Sequence, residues 1–246
     1  YQLQGDRAAA IQAHRQALSI SLTSGNTMIS IAALTSLGQI QESENQLRQA
    51  VEHYRSVLKL AGNPPLAAAC EAHLGLARIS YQWNDLEAAQ NHGEHSLKLA
   101  QKMENVDTPA NCELLLARLK LAQGDVNSAL VNLTNAEGVI QEHNFSHLIP
   151  DVVAIQVLIS LKKGDFITAA QLAETHKLPL SLALVHLAQG DASAALEILI
   201  SYHHQMQTKG WKDEQLKTMI LQAVALHTLG NEQQAIERLK EALALA

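Results

Sequence analysis

At 246 residues, 47% apolar but only 3% aromatic, the chain lacks the ring content of a β-sandwich and suits Ala- and Leu-rich helices packed at close range. Its formal net charge of −6 excludes the basic footprint of a nucleic-acid binder, so no direct DNA contact is expected of these residues. No apolar run reaches the roughly 18 residues of a membrane span and no signal peptide is expected, which points to a cytoplasmic protein without membrane contact.

Apolar residues recurring three and four apart predict helices over residues 6–22, 27–43, 46–61, 66–83, 85–103, 108–123, 125–143, 150–163 and 165–176. A short helix of about three turns follows between Leu178 and Gly190, and then helices over 192–208, 212–229 and 232–245. The expected whole is thirteen helices and no strand; counting back from Gly5 puts Tyr1 in the last turn of a further helix whose beginning is absent, so the chain is expected to be a segment of a longer polypeptide. Pro64, Pro65, Pro109 and Pro150 fall in loops or first helical turns, where proline is tolerated. Cys70 and Cys112 sit on first helices of separate hairpins and read as buried thiols in a reducing compartment.

What orders these helices is a recurring corner. Gly5, Asn45, Asn84, Gly124, Gly164, Gly190 and Gly230 each stand at a helix end, and each is followed five residues later by alanine: Ala10, Ala50, Ala89, Ala129, Ala169, Ala195 and Ala235. The corners are 40, 39, 40, 40, 26 and 40 residues apart. Gly, and less readily Asn, accepts the positive φ that closes a helix. The next residue, Asp6, Asp85, Asp125, Asp165, Asp191 or Asn231, can cap the following helix, with Gln46 the exception. The alanine then faces the preceding helix at the closest approach of the two backbones. Seven residues before the corner the other helix is small too, at Gly38, Ala77, Ala117, Ala183 and Ala223, with Val157 the exception. A fixed period of this size means a solenoid, and the 26-residue interval predicts a shortened unit around 165–190 in a single repeat domain spanning 1–246.

This pattern of Leu-Gly or Leu-Ala on the first helix, Gly-Asp at the turn and Ala five later resembles the tetratricopeptide repeat, lengthened to about 40 residues. The expected fold is an all-α, right-handed α-solenoid of tetratricopeptide-like hairpins. Repeats of that length resemble the sensor solenoid of the MalT-like, large ATP-binding LuxR transcription activators, most sharply at Leu221-Gln222-Ala223-Val224-Ala225-Leu226 with Leu229-Gly230 and the closing helix to Ala246. The resemblance implies a missing ATPase on one side and a DNA-binding domain on the other. The segment itself would be a non-enzymatic sensor without cofactor, taking a small-molecule inducer or a regulatory protein or peptide. A peptide-binding repeat scaffold unrelated to transcription is the alternative, and an accessory domain that positions an enzyme's substrate a third.

In such a coil the first helices line the concave face. Counted from the small residue of each first helix, the positions six before and one, four and five after present Glu71, Arg78, Tyr81 and Gln82 in the third unit and Asn111 and Arg118 in the fourth. Arg78 and Arg118 hold the same place in consecutive units, a pair able to fork onto a carboxylate or phosphate. The competing reading pairs them with local carboxylates such as Glu71 and Glu113. Later units put Leu158, Leu184 and Val224 at the matching place, a greasier surface. Among the histidines, His92 with His95, His143 with His147 and His203 with His204 stand close in sequence, but without a third ligand no metal site is expected. No nucleophile motif or phosphate loop is present. Trp83 and Trp211, next to hairpin ends, are expected to plug space between units.

Overall fold

The computed structural model describes residues 7–103 and 106–246. The first corner, at Gly5 and Asp6, and the helix end at Tyr1 lie outside the described residues. The described chain is all-α: thirteen α-helices, two single 3-10 turns and no strand. By contacts it divides into two compact units, Tyr1–Gln123 with Ser128–Phe145, and Gly124–Asn127 with Ser146–Ala246.

The first unit holds α1 (Arg7–Ser24), α2 (Thr27–Ser43), α3 (Leu47–Ala61), α4 (Cys70–Gln82), α5 (Leu86–Ala100), α6 (Thr108–Ala122) and nearly all of α7 (Val126–His143). The second holds α8 (Ile149–Lys162), α9 (Phe166–Thr175), α10 (Pro179–Gln189), α11 (Ala192–Lys209), α12 (Lys212–Thr228) and α13 (Glu232–Leu245). The helices match the sequence periodicity closely. The shortened repeat appears as α9 and α10, of 10 and 11 residues.

Every described corner takes a left-handed residue: Asn45 at φ 59°, Asn84 at 60°, Gly124 at 82°, Gly164 at 76°, Gly190 at 83° and Gly230 at 79°. Only that backbone region reverses the chain in two residues, which is why Gly or Asn recurs there. Asp85, Asp165 and Asp191 then accept from the N–H groups of Ala88, Thr168 and Ala194 at 3.1, 3.0 and 3.0 Å. Gln46 and Asn231 make no such side-chain bond. The alanine five residues on is sealed: Ala50, Ala89, Ala129, Ala169 and Ala195 are each 0% exposed. Opposite them Ala77, Ala117 and Ala183 are equally closed off, and Val157 fits the same buried place in α8.

Two departures from the periodicity have local causes. The stretch 66–69 is not α-helix; Ala67–Ala69 forms a 3-10 turn that seats Ala69 in the core. Helix α5 stops at Ala100 and not near Met103 because the chain curls over, Met103 N–H bonding Ala100 O at 2.9 Å, and its sulfur meets Cys70 Sγ at 3.7 Å.

Replacing Ala89 by Leu forces α4 and α5 apart and lowers stability by about 1–3 kcal/mol in urea unfolding. At a corner, Gly164→Ala costs about 1–2 kcal/mol through the left-handed φ, whereas Asn84→Gly costs nothing.

Candidate functional site

One turn beyond Ala50, a ring enters the close packing of the first unit. Tyr54 of α3 is fully buried between the backbones of α2 and α4, in the space left by two glycines. A Cβ on Gly38 would lie 2.5 Å from its ring, and one on Gly75 would lie 2.3 Å from it. A phenol that deep must satisfy its hydroxyl. It does so by donating to Glu42 Oε2 at 2.9 Å. The same carboxylate accepts a two-pronged bond from Arg78, Nε to Oε1 at 2.7 Å and Nη2 to Oε2 at 2.9 Å.

Burial, reinforced by the Glu42 charge, drives the Tyr54 hydroxyl well above its ordinary pKa. For Arg78 burial works against the cation, but Glu42 outweighs it and the guanidinium is held more firmly protonated than usual. The triad therefore ties α2, α3 and α4 together by charge-assisted bonds, the strong kind.

A second node lies along the same helix. Glu71 of α4 accepts from Gln39 Nε2 of α2 at 3.3 Å and from the Thr108 hydroxyl at the start of α6. Three successive first helices are thus linked through polar side chains: Gln39 and Glu42 on α2, Glu71 and Arg78 on α4, Thr108 on α6. Of the other sequence candidates, Tyr81 packs partly buried against the core cluster that includes Leu74, Cys112 and Leu115, Gln82 is exposed at the end of α4, and Asn111 donates to its own helix at Asp107 O, 3.2 Å. Arg118 is half-buried on α6 in the register of Arg78. Glu113 turns to α7, where the amides of Asn132 and Asn135 donate to it at 2.7 and 3.2 Å.

Gln39 and Glu42 were not among the sequence candidates. The signal was available: they stand one and four residues after Gly38, the offsets that single out Arg78 and Tyr81 after Ala77. Applied to α2, the same register finds both. The histidine pairing was also incomplete, since His73 of α4 joins His92 and His95 of α5. Burial first, then the neighbouring imidazoles, lowers the His73 pKa to about 4, and burial with His95 and Arg55 lowers that of His92. Among the described residues no group of three or more His, Cys, Asp or Glu is placed to hold a metal. The tryptophans do not plug the interior. Trp83 is 52% and Trp211 45% exposed, because both are cap residues at hairpin ends with little surface to cover a ring.

Both thiols are buried. Cys112 donates to Ser96 Oγ at 3.1 Å, and Ser96 donates to the Cys70 carbonyl at 2.7 Å. Burial pushes Cys112 up to about 12 and raises Cys70, so neither is a nucleophile at neutral pH.

A family model described as the MalT-like TPR region matches residues 1–246. The chain belongs to that family. No curated protein matches it. Among solved structures, a Rap protein complexed with competence and sporulation factor is 14% identical and superposes with a TM-score of 0.63, over 93% of this chain and 72% of that one. A tetratricopeptide repeat protein from Parabacteroides merdae ATCC 43184 is 13% identical with a TM-score of 0.60, over 98% of this chain and 88% of that one. At such identities the likeness establishes the shared fold. Within this MalT-like TPR region no described helix is long and apolar enough to cross a membrane.

Tyr54→Phe removes one bond to a carboxylate and lowers stability by about 1.5–3 kcal/mol. Glu42→Leu costs more, since it strands both the phenol and the guanidinium; a cycle of the two substitutions shows coupling of at least about 0.5 kcal/mol in urea unfolding. Both cysteines stay unreactive toward a disulfide reagent at pH 8 in the folded chain and react on unfolding.

Proposed function

We propose that this chain is the sensing region of a multidomain, ATP-dependent transcription regulator of the LuxR type, and that it binds an inducer or a regulatory protein or peptide on the polar face of α2, α4 and α6. The observation that carries the reading is the polar row across those three helices: Gln39, Glu42, Glu71, Arg78 and Thr108, with Arg118 next in register. Other polar bonds, such as Glu113 with Asn132 and Asn135, Tyr202 with Glu214 and Arg238 with Gln222, each join a single pair of helices, and the places matching Arg78 in the second unit are Leu158, Leu184 and Val224. A face that spends charged side chains on bridging three helices is sensitive to anything that exchanges with those bonds. The solved Rap protein with the same fold holds a factor, which supports binding as the role.

The mechanism is a population shift. A ligand that prefers one arrangement of α2, α4 and α6 draws the chain toward it, and the flanking regions respond by self-association and DNA binding. Nothing in this requires catalysis by the repeat region, and the cofactor belongs to the flanking ATPase.

The informative variants are Glu71→Gln and Arg118→Ala, which lie on this face and leave the Tyr54–Glu42–Arg78 triad in place. Together they are expected to weaken the transcriptional response of the full-length regulator at least about 10-fold, a loss of roughly 1.4 kcal/mol, with helical content by circular dichroism unchanged. An unaltered response rejects this face as the site. Binding that persists with no effect on the flanking regions moves the assignment to a peptide-binding scaffold.

A further inference from the structure

At one level of the α4–α5 hairpin the two helices meet through imidazoles. His73 of α4 and His92 of α5 bring Nδ1 to Nδ1 at 3.0 Å, with ring centroids 5.2 Å apart. His95, nearly one turn along α5, stacks on His73 at 5.5 Å between centroids and 17° between planes. Its own Nδ1 lies 2.7 Å from Asn91 O.

Two imidazole nitrogens at that distance share one proton: one donates and the other offers its lone pair. Both rings neutral satisfy the bond. A first added proton can go to the far nitrogen of the donor ring and leave it intact. The second removes the acceptor, turns two N–H groups toward each other and sets two cations in contact, with a third imidazole stacked on one of them.

The surroundings oppose that second proton. Arg55 of α3 and His95 disfavour charge on His92, and Asp85 at the start of α5 pulls the other way. Charged side chains on α4, α5 and the helices packed around them have other partners: Lys120 of α6 with Gln90, Glu94 with Gln90, Glu71 with Gln39 and Thr108, and Glu42 of α2 with Arg78 and Tyr54.

We propose that the His73–His92 pair is an acid-sensitive latch, holding α4 to α5 at neutral pH and letting the hairpin open when both rings are protonated. His73 lies about 200° around α4 from Glu71, so the helix is held on one side by the latch and carries the polar row on the other. Opening the latch frees α4 to shift Glu71 and Arg78. The site would then couple acidification to the ligand-facing side of the repeat. A latch of this kind works whether or not that face binds an inducer.

The sign follows from the lowered pKa of both rings. Between the ordinary histidine value near 6.5 and the value of about 4 for His73, the unfolded chain binds more protons than the folded one, with His92 adding in the same direction, so stability falls as pH falls through that window. The test is urea unfolding of the 246-residue chain from pH 7.5 to 4.5 in EDTA, beside His73→Asn, whose amide reaches His92 without titrating. The expected result is a midpoint that drops more steeply with acid in the wild type than in the variant. Hydrogen exchange of α4 and α5 amides, corrected for intrinsic rate, should rise about 10-fold more than that of α12 and α13 between pH 7 and 5. Parallel profiles overturn the proposal. Nitrogen NMR titration of the wild-type imidazoles decides it independently of how the variant folds: titration of His73 and His92 at the ordinary value overturns it. A wild-type midpoint at pH 7.5 that falls on adding EDTA identifies the pair as metal ligands, which also overturns it.

Discussion

Close helix approach is the constraint on which the rest of this molecule depends. Two α-helices joined by a two-residue corner stand nearest to each other just beyond the turn, and there the chain places an alanine methyl, 0% exposed in five of the hairpins. Such contacts are individually small, about 0.1–0.2 kcal/mol per atom pair, but they repeat along the full length of each hairpin. They also fix the distance between the helices, so longer side chains further along meet at a set height. The buried layers around Leu34, Leu76 and Ile79, and around Val153, Val157 and Val185, form at that spacing.

Against this background the Tyr54 region is chemically different. A ring is buried one turn beyond the Ala50 methyl, and glycines on both sides give back the volume it takes. Its hydroxyl then needs a partner, Glu42 supplies it, and the carboxylate needs a counter-charge, which Arg78 supplies. Each polar group is present because the previous one would otherwise be buried without a partner, at a cost of about 1–3 kcal/mol. The result is a chain of dependencies running from the core to the polar side of α4. Rigidity there comes from directional bonds, which exchange more readily for another donor or acceptor than packed methyl groups do.

The fold was legible because its signals are local and repeated. A left-handed residue, a cap and an alanine at fixed offsets can be read without knowing any tertiary contact; the structure puts the left-handed residue at all six described corners and the cap bond at Asp85, Asp165 and Asp191, while Asn231 makes none. The site was legible only where one residue's register could be carried over to the next helix. Arg78 was found that way, but its partner was sought among Glu71 and Glu113 and lies instead on α2, where the same count from Gly38 reaches Glu42. His73 escaped notice because its partners are 19 and 22 residues away, on the opposite arm of the hairpin. The tryptophans were misplaced for the converse reason: proximity to a corner says nothing about which side of it a cap residue faces.

The ring seated between two glycines has an evolutionary corollary. A methyl at position 38 or 75 cannot be accepted while a six-membered ring occupies position 54, and a smaller side chain at 54 leaves a void until one of the glycines grows. Losing the phenol also deprives the carboxylate at 42 of a donor. These four positions therefore drift as a single inherited character, and a lineage that abandons the ring must rebuild the seam of three helices in concert.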